Sequence, residues 1–222
     1  MEMTAARWEY LCRYSEEVFG REDEQLAGLM QRARAAGLPD IAIGPDMGRL
    51  LMILTSLTPG RRAIEVGTLA GYSATWIVRG LSPHGRLIAV ESELKHARFA
   101  AREFESAGIA HRVDLRIGRA LEVLPDVARE IGPQSTDVVF LDAVKAEYLA
   151  YWEIIRPLLA VGGLILADNV YGSDWTIDEE SNPTREMVDR FNRTVAADED
   201  FETTAVPIRN GVLIGRRIRA ST

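Results

Sequence analysis

Apolar and polar residues alternate with helical spacing near the start of this chain. Residues 4–19, 22–36 and 45–57 each place apolar side chains three and four positions apart, which predicts three amphipathic helices. Thr58-Pro59-Gly60 follows the third segment, and proline and glycine are typical of the end of a helix. The chain therefore opens with helices, and no strand is predicted before residue 60.

From residue 62 onward, short apolar runs alternate with longer helical stretches. Strands alternating with helices of this length predict βαβ units, and hence a parallel sheet covered on both faces. Near the end, Asn210-Gly211 separates two apolar runs, and this dipeptide favours a hairpin turn. The predicted strands are 62–67, 86–91, 113–117, 137–141, 163–168, 201–207 and 212–217, and the predicted helices between them are 71–80, 93–107, 120–130, 146–159 and 184–197.

The pattern predicts an α/β fold with a doubly wound, seven-stranded, mostly parallel Rossmann-like sheet. The sheet ends in an antiparallel hairpin, and extra helices precede it. A length of 222 residues suits a single domain over residues 1–222, with a helical addition at 1–57 and an α/β core at 58–222.

Charge and hydropathy exclude several classes of function. A net charge of -7 argues against a nucleic-acid partner, since phosphate binding requires a basic surface. No apolar run approaches the roughly 20 residues that a membrane-spanning helix needs. Arg7, Glu9 and Glu16 interrupt the apolar residues near the start, so no signal peptide is predicted, and we expect a cytoplasmic protein without a membrane partner.

Two acidic strand ends and a glycine loop form a candidate ligand site. The first strand runs into Glu65-Val66-Gly67-Thr68-Leu69-Ala70-Gly71, and a glycine directly after a buried strand allows a tight turn and close approach of a ligand. Glu65 would repel a pyrophosphate but suits a cationic ligand. Glu91 ends the second strand, where a carboxylate can accept both hydroxyls of a ribose. A structural turn without any ligand is the alternative.

Oxygen-bearing side chains also follow the fourth and fifth predicted strands. Asp142 follows one, and Asp168 and Asn169 end the other. Parallel strands present their carboxyl ends at one edge of the sheet, so the three side chains are expected to converge there. Oxygen ligands suit a hard cation such as Mg²⁺. The alternative is that Asp168 caps a loop and Asn169 turns the chain.

The stretch from Glu65 to Ser73 resembles the cofactor motif of the cation-dependent O-methyltransferases, the catechol and caffeoyl-CoA O-methyltransferase families. The similarity extends upstream to Ile43-Gly44-Pro45-Asp46-Met47-Gly48 and covers about residues 40–218. It implies S-adenosylmethionine as the cofactor and a divalent cation, Mg²⁺ or another such as Mn²⁺ or Ca²⁺. The implied cofactor-binding residues are Ile43, Glu65, Gly67, Thr68, Ser73, Glu91, Ala120 and Asp142.

The same resemblance assigns the metal to Asp142, Asp168 and Asn169, and places a catalytic lysine at Lys145. Like charge from the cation would lower the pKa of the lysine, which could then take a proton from a phenol. The resemblance further implies a small phenolic or catechol substrate and a homodimer. The expected reaction is methyl transfer from S-adenosylmethionine to one hydroxyl of a catechol.

The chain departs from the family pattern at two positions. Val144 stands where many members carry a second aspartate, so one polar cofactor contact is expected to be missing. Arg119, in Gly118-Arg119-Ala120, replaces a common aspartate beside the adenine, and a guanidinium cannot accept a hydrogen bond from an amino group. We expect Arg119 to stack on the base or to point outward.

The segment after the metal residues is expected to border the acceptor. Tyr171 and Trp175 suit an aromatic ring, or else pack against the domain, and the acidic Asp178-Glu179-Glu180 disfavours a CoA thioester. Two other functions stay open at this point. One is a methyltransferase acting on tRNA, which the negative charge opposes, and the other is a cofactor-binding module that has lost catalysis.

Overall fold

The computed structural model describes residues 4–172 and 183–220. Its first three helices are α1 (Ala5–Phe19), α2 (Glu24–Ala35) and α3 (Pro45–Ser56), as the sequence predicts. Helices α2 and α3 bury leucines and Met47 in the same apolar cluster as the sheet, whereas α1 has no buried residue. Within the described ranges, no helix combines the length and apolar character needed to cross a membrane.

Seven strands form one sheet in the order β3-β2-β1-β4-β5-β7-β6, which confirms the predicted fold class. The first five strands pair in parallel, and β7 pairs antiparallel with both β5 and β6. The predicted hairpin is therefore present at one side of the sheet. The strands are β1 (Arg62–Val66), β2 (Arg86–Glu91), β3 (Val113–Ile117), β4 (Thr136–Leu141), β5 (Leu159–Asp168), β6 (Phe201–Val206) and β7 (Val212–Arg217).

Helices cover both faces of the sheet because successive strand residues point to opposite sides. Ala63 belongs to the apolar cluster that contains α2 to α5, and the next residue, Ile64, belongs to the cluster that contains α6 to α8. The chain winds outward from β1 to β3, then returns to start β4 on the other side of β1. Ligands of such sheets bind at this reversal point. The covering helices are α4 (Tyr72–Gly80), α5 (Leu94–Ser106), α6 (Ala120–Ile131), α7 (Tyr148–Ile155) and α8 (Pro183–Ala196).

The predicted helix at 146–159 was wrong at both ends. The structure has a 3₁₀ turn at Lys145–Glu147 before α7 and another at Arg156–Leu158 after it, and β5 begins directly at Leu159. Pro157 lacks an N–H group and cannot continue the α-helical hydrogen bonds, so the last turn tightens. The prediction of β5 missed its first residues because Gly162 and Gly163 look like a turn in the sequence.

Candidate active site

A cavity of about 720 Å³ opens at the carboxyl ends of β1, β2 and β4. Two predicted site residues, Glu65 and Asp168, lie behind its wall and are 0% and 8% exposed. The structure therefore brings the eleven predicted residues to one place, nine in the cavity lining and two behind it. Those that line the cavity are Ile43, Gly67, Thr68, Ser73, Glu91, Ala120, Asp142, Lys145 and Asn169.

The glycine loop turns sharply at Gly67, whose φ of 97° lies in the region that L side chains rarely adopt. Its N–H donates to the carbonyl of Val90 on β2 at 3.0 Å. A Cβ at this position would collide with the backbone carbonyl of Asp142. Position 67 thus requires a glycine because the loop after β1 touches the backbone after β4. The sequence suggests a second reason, which is that a ligand can approach the backbone closely here.

Glu65 is a fully buried carboxylate whose two oxygens both accept hydrogen bonds from hydroxyls. Thr68 Oγ1 donates to Oε2 at 2.8 Å, and Ser73 Oγ donates to Oε1 at 2.6 Å. Burial raises the pKa of Glu65 to about 7, although the two hydroxyl hydrogen bonds oppose this rise. Thr68 and Ser73 line the cavity, whereas Glu65 lies behind them and fixes the orientation of their hydroxyl groups.

We expect the affinity for S-adenosylmethionine, the cofactor that the resemblance implies, to fall as the pH drops below about 7. The cationic ligand favours the ionised form of Glu65, so binding at lower pH must release a proton and weakens by up to about tenfold per pH unit. Calorimetry in two buffers of different ionisation enthalpy measures the released proton directly. In Glu65→Gln the pH dependence should disappear; an equally steep dependence in that variant would exclude Glu65 as its source.

Glu91 holds two loops together at the end of β2. Its Oε2 accepts the N–H of Leu69 at 2.7 Å, and its Oε1 accepts the N–H of Glu93 at 2.8 Å. Nδ1 of His96 lies 3.5 Å from the same Oε1. Each carboxylate oxygen keeps a further lone pair, so the side chain can still accept hydroxyl hydrogens from a ribose.

The acidic centre lies where β4 and β5 end side by side. Asp142 follows β4, Asp168 is the last residue of β5, and Asn169 follows with a φ of 60°. Burial and the charge of Asp142 raise the pKa of Asp168 to about 6. Two carboxylates thus repel each other here, an arrangement that a cation relieves.

The oxygens of this centre fit a hard divalent cation, with the amide of Asn169 as the third donor. Among residues 4–172 and 183–220, no three His, Cys, Asp or Glu side chains cluster as a metal site, so the predicted set depends on this amide.

Tyr148 was missed by the sequence reasoning. Its hydroxyl lies 3.1 Å from the carbonyl of Leu141 and 3.2 Å from that of Asp168, and so ties the two strand ends together.

Lys145 reaches into the same centre from the 3₁₀ turn before α7. Its Nζ donates to Oδ1 of Asp142 at 2.7 Å and lies 5.4 Å from the centre of the Tyr148 ring. The side chain is 22% exposed, so the amine is accessible from the cavity. Lys145 is therefore in contact with the site and is not an unconnected surface lysine.

Three other positions that the sequence analysis named lie outside the cofactor loop and the acidic centre. Arg119 and Val144 both line the cavity. The Arg119 side chain is 67% exposed and pairs with Glu147 at 3.2 Å, and Val144 is 55% exposed. Tyr171 packs its ring against Gly211 of the hairpin turn, and its N–H donates to the carbonyl of Asn210 at 2.8 Å. Trp175 and the acidic run 178–180 lie outside the described residues.

Sequence comparisons agree with this geometry. Residues 16–218 match the model of a family described as O-methyltransferase. A catechol O-methyltransferase of Niastella koreensis is 35% identical over 198 residues, which are 89% of each chain. A catechol O-methyltransferase of Mycobacterium tuberculosis is 34% identical over 185 residues, 83% of this chain and 82% of that relative.

Solved structures give the same result. An O-methyltransferase from Bacillus cereus in complex with S-adenosylhomocysteine superposes with a TM-score of 0.87 at 31% identity, over 96% of this chain and 100% of that one. The O-methyltransferase TomG of Streptomyces achromogenes, in complex with S-adenosylmethionine, has a TM-score of 0.85 at 32% identity, over 98% and 100% of the two chains. The chain thus belongs to the family of S-adenosylmethionine-dependent O-methyltransferases.

Proposed function

We propose that this protein methylates one hydroxyl of a catechol-type small aromatic, with a divalent cation held by Asp142, Asp168 and Asn169. The observation that carries the proposal is the joint placement of two carboxylates, an amide and Lys145 at the tips of β4 and β5. Two relatives are named catechol O-methyltransferases, which supports this acceptor class. Other relatives are named caffeoyl-CoA O-methyltransferases.

The cofactor half of the proposal assigns S-adenosylmethionine to the loop from Gly67 to Ser73. Glu65 supplies negative charge beneath this loop, and Glu91 accepts the ribose hydroxyls. Ile43 and Ala120 are buried apolar residues in the cavity wall and exclude water from the ligand. The contact between Gly67 and the Asp142 backbone fixes the cofactor loop against the acidic centre.

Asp142, Asp168 and Asn169 would hold a divalent cation, whose positive charge would lower the pKa of a phenol bound beside it. Lys145, already 2.7 Å from Asp142, is in position to accept the phenolic proton at Nζ. Tyr148 holds the ends of β4 and β5 at a fixed separation, so the oxygens keep their arrangement. The residues then contribute mainly by orienting the attacking oxygen toward the methyl group.

A methyl-transfer assay over a panel of acceptors tests this function. Catechol, caffeic acid and protocatechuic acid should be methylated with Mg²⁺ or Mn²⁺, and EDTA should stop the reaction because it removes the cation. Resorcinol is the matched control, since its hydroxyls are not adjacent. Turnover that is unaffected by EDTA, or equal for resorcinol and catechol, would contradict the proposal. Absence of turnover with every acceptor would favour a module without catalysis.

The association state stays a prediction. The resemblance implies a homodimer, and α1 exposes the large apolar side chains Tyr10, Tyr14 and Phe19, which are 60%, 48% and 58% exposed.

A further inference from the structure

A chain of three polar side chains borders one end of the cavity. Arg119 Nη2 donates to Oε1 of Glu147 at 3.2 Å, and the hydroxyl of Tyr151 donates to Oε2 of the same carboxylate at 2.6 Å. Arg119 precedes α6, and Glu147 and Tyr151 belong to the turn and helix after β4. All three residues line the cavity, and neither the cofactor loop nor the acidic centre uses them.

This end of the cavity is where a base attached to a ribose at Glu91 would lie. The N–H of Gly118 donates to the carbonyl of Glu91 at 2.9 Å, so the loop from Gly118 to Ala120 stands directly beside the ribose position. Glu147 accepts a hydrogen bond from Arg119 of that loop, so its carboxylate lies beside the loop in the cavity lining. A nucleoside with its ribose on Glu91 therefore directs its base between Ala120 and the stretch that contains Glu147.

Of the three side chains, Glu147 is the one best able to accept a further hydrogen bond from a ligand. Arginine is a donor only, and the hydroxyl proton of Tyr151 is already given to Glu147. Burial and the neighbouring Glu147 raise the pKa of Tyr151 well above its usual value, so the hydroxyl remains a donor. Each oxygen of Glu147 has accepted one hydrogen bond and keeps a second lone pair. The carboxylate is 22% exposed, and its orientation is fixed from two sides.

We propose that Glu147 accepts a hydrogen bond from the 6-amino group of the cofactor's adenine, with Tyr151 and Arg119 as positioning residues. Glu147 thereby supplies the acceptor that Arg119 cannot supply. The proposal rests on S-adenosylmethionine as the cofactor and is independent of the metal and of the acceptor substrate. Besides Glu91 and Asp142, which have the roles given above, Glu93 is a further carboxylate in the cavity lining, and its side chain is exposed.

The test compares two ligands that differ in one group. S-adenosylhomocysteine and its analogue with hydrogen in place of the 6-amino group are titrated by calorimetry into the whole protein. The wild type should bind the adenine form at least about tenfold more tightly, because a hydrogen bond to a charged acceptor is lost in the analogue. In Glu147→Ala the two ligands should bind within about threefold of each other, since the acceptor is gone in both cases.

Conservative variants separate recognition from a purely structural role. Glu147→Gln should keep part of the preference, because an amide oxygen still accepts the amino hydrogen as a neutral partner. Tyr151→Phe should lower the preference by a few-fold without abolishing it, since the carboxylate remains but is held from one side only. A structural role alone would weaken both ligands equally and leave their ratio unchanged.

Two further variants complete the design. Glu122→Ala removes the same charge from α6 outside the cavity and should keep the wild-type ratio. Glu93→Ala tests the other carboxylate. The proposal is overturned if the wild type shows no preference, if Glu147→Ala retains it, or if Glu93→Ala loses it instead. Failure of the wild type to bind S-adenosylhomocysteine at all would overturn the cofactor assignment itself, and this result is distinct from binding without preference.

Discussion

Replacing Lys145 with alanine should lower kcat for catechol methylation by about two or more orders of magnitude at neutral pH, with a modest change in KM. The amine donates to Asp142 at 2.7 Å and opens onto the cavity, and in its neutral form it would take the phenolic proton there. The defect should shrink as the pH rises, because more of the catechol is then ionised before it reacts. Steady-state kinetics over a range of pH measure both effects.

Lys145→Arg is the matched variant, because arginine keeps the positive charge and cannot release its proton. If Lys145 is the base, the arginine variant should be nearly as slow as the alanine variant. The chain has only one other lysine, Lys95, which is exposed and donates to the carbonyl of Gly37, so Lys95→Ala serves as the surface control. A few-fold defect confined to KM at every pH would reduce Lys145 to a residue that orients the substrate.

Replacing Asp168 with asparagine should abolish most metal-dependent methylation and, at the same time, raise the melting temperature of the metal-free protein by several degrees. Burial and the charge of Asp142 raise the pKa of Asp168 to about 6, whereas an unfolded aspartate titrates near about 3.9. Folding at neutral pH therefore moves an ionised carboxylate into a site that disfavours its charge. This destabilisation is absent below about pH 4 and complete above about pH 6, and the amide removes it.

Thermal unfolding in EDTA across this pH range measures the gain, and calorimetry with S-adenosylhomocysteine checks that the cofactor still binds. Asp137→Asn gives the control of opposite sign. Asp137 is buried as well, but Arg61 pairs with it at 2.8 Å and this contact lowers its pKa, so its amide should be less stable at neutral pH. Equal or lower stability of Asp168→Asn in EDTA would mean that the acidic centre is not strained without a cation.

The sequence predicts the parts of this fold that depend on local pattern. The bounds of β2, β3 and β7 agree with the prediction, since each is an apolar run between clear breaks. Asp142 and Asp168 could be placed together because parallel strands bring their carboxyl ends to one edge. The turns around α7 could not be predicted, because Pro157 tightens a helix whose apolar period continues beyond it.

Contacts between segments that are distant in the chain could not be predicted from the sequence. Glu147 and Tyr151 are four residues apart at the start of a helix, a spacing that hints at contact, but the arrival of Arg119 from the loop after β3 depends on the tertiary fold. Tyr148 was missed for the same reason. A tyrosine within an apolar helix looks like a core residue, and only the fold brings its hydroxyl to the ends of β4 and β5.

The reversal of winding between β1 and β4 also has an evolutionary consequence. The residues assigned to the cofactor lie between Ile43 and Glu147, whereas the chain beyond Asn169 is bound to the hairpin turn through Val170 and Tyr171. The residues assigned to the cofactor are therefore encoded in one stretch of the gene, which also contains Asp142 and Lys145. Exchange of the stretch beyond Asn169 between relatives should leave the use of S-adenosylmethionine intact, because none of the residues assigned to the cofactor lies in it.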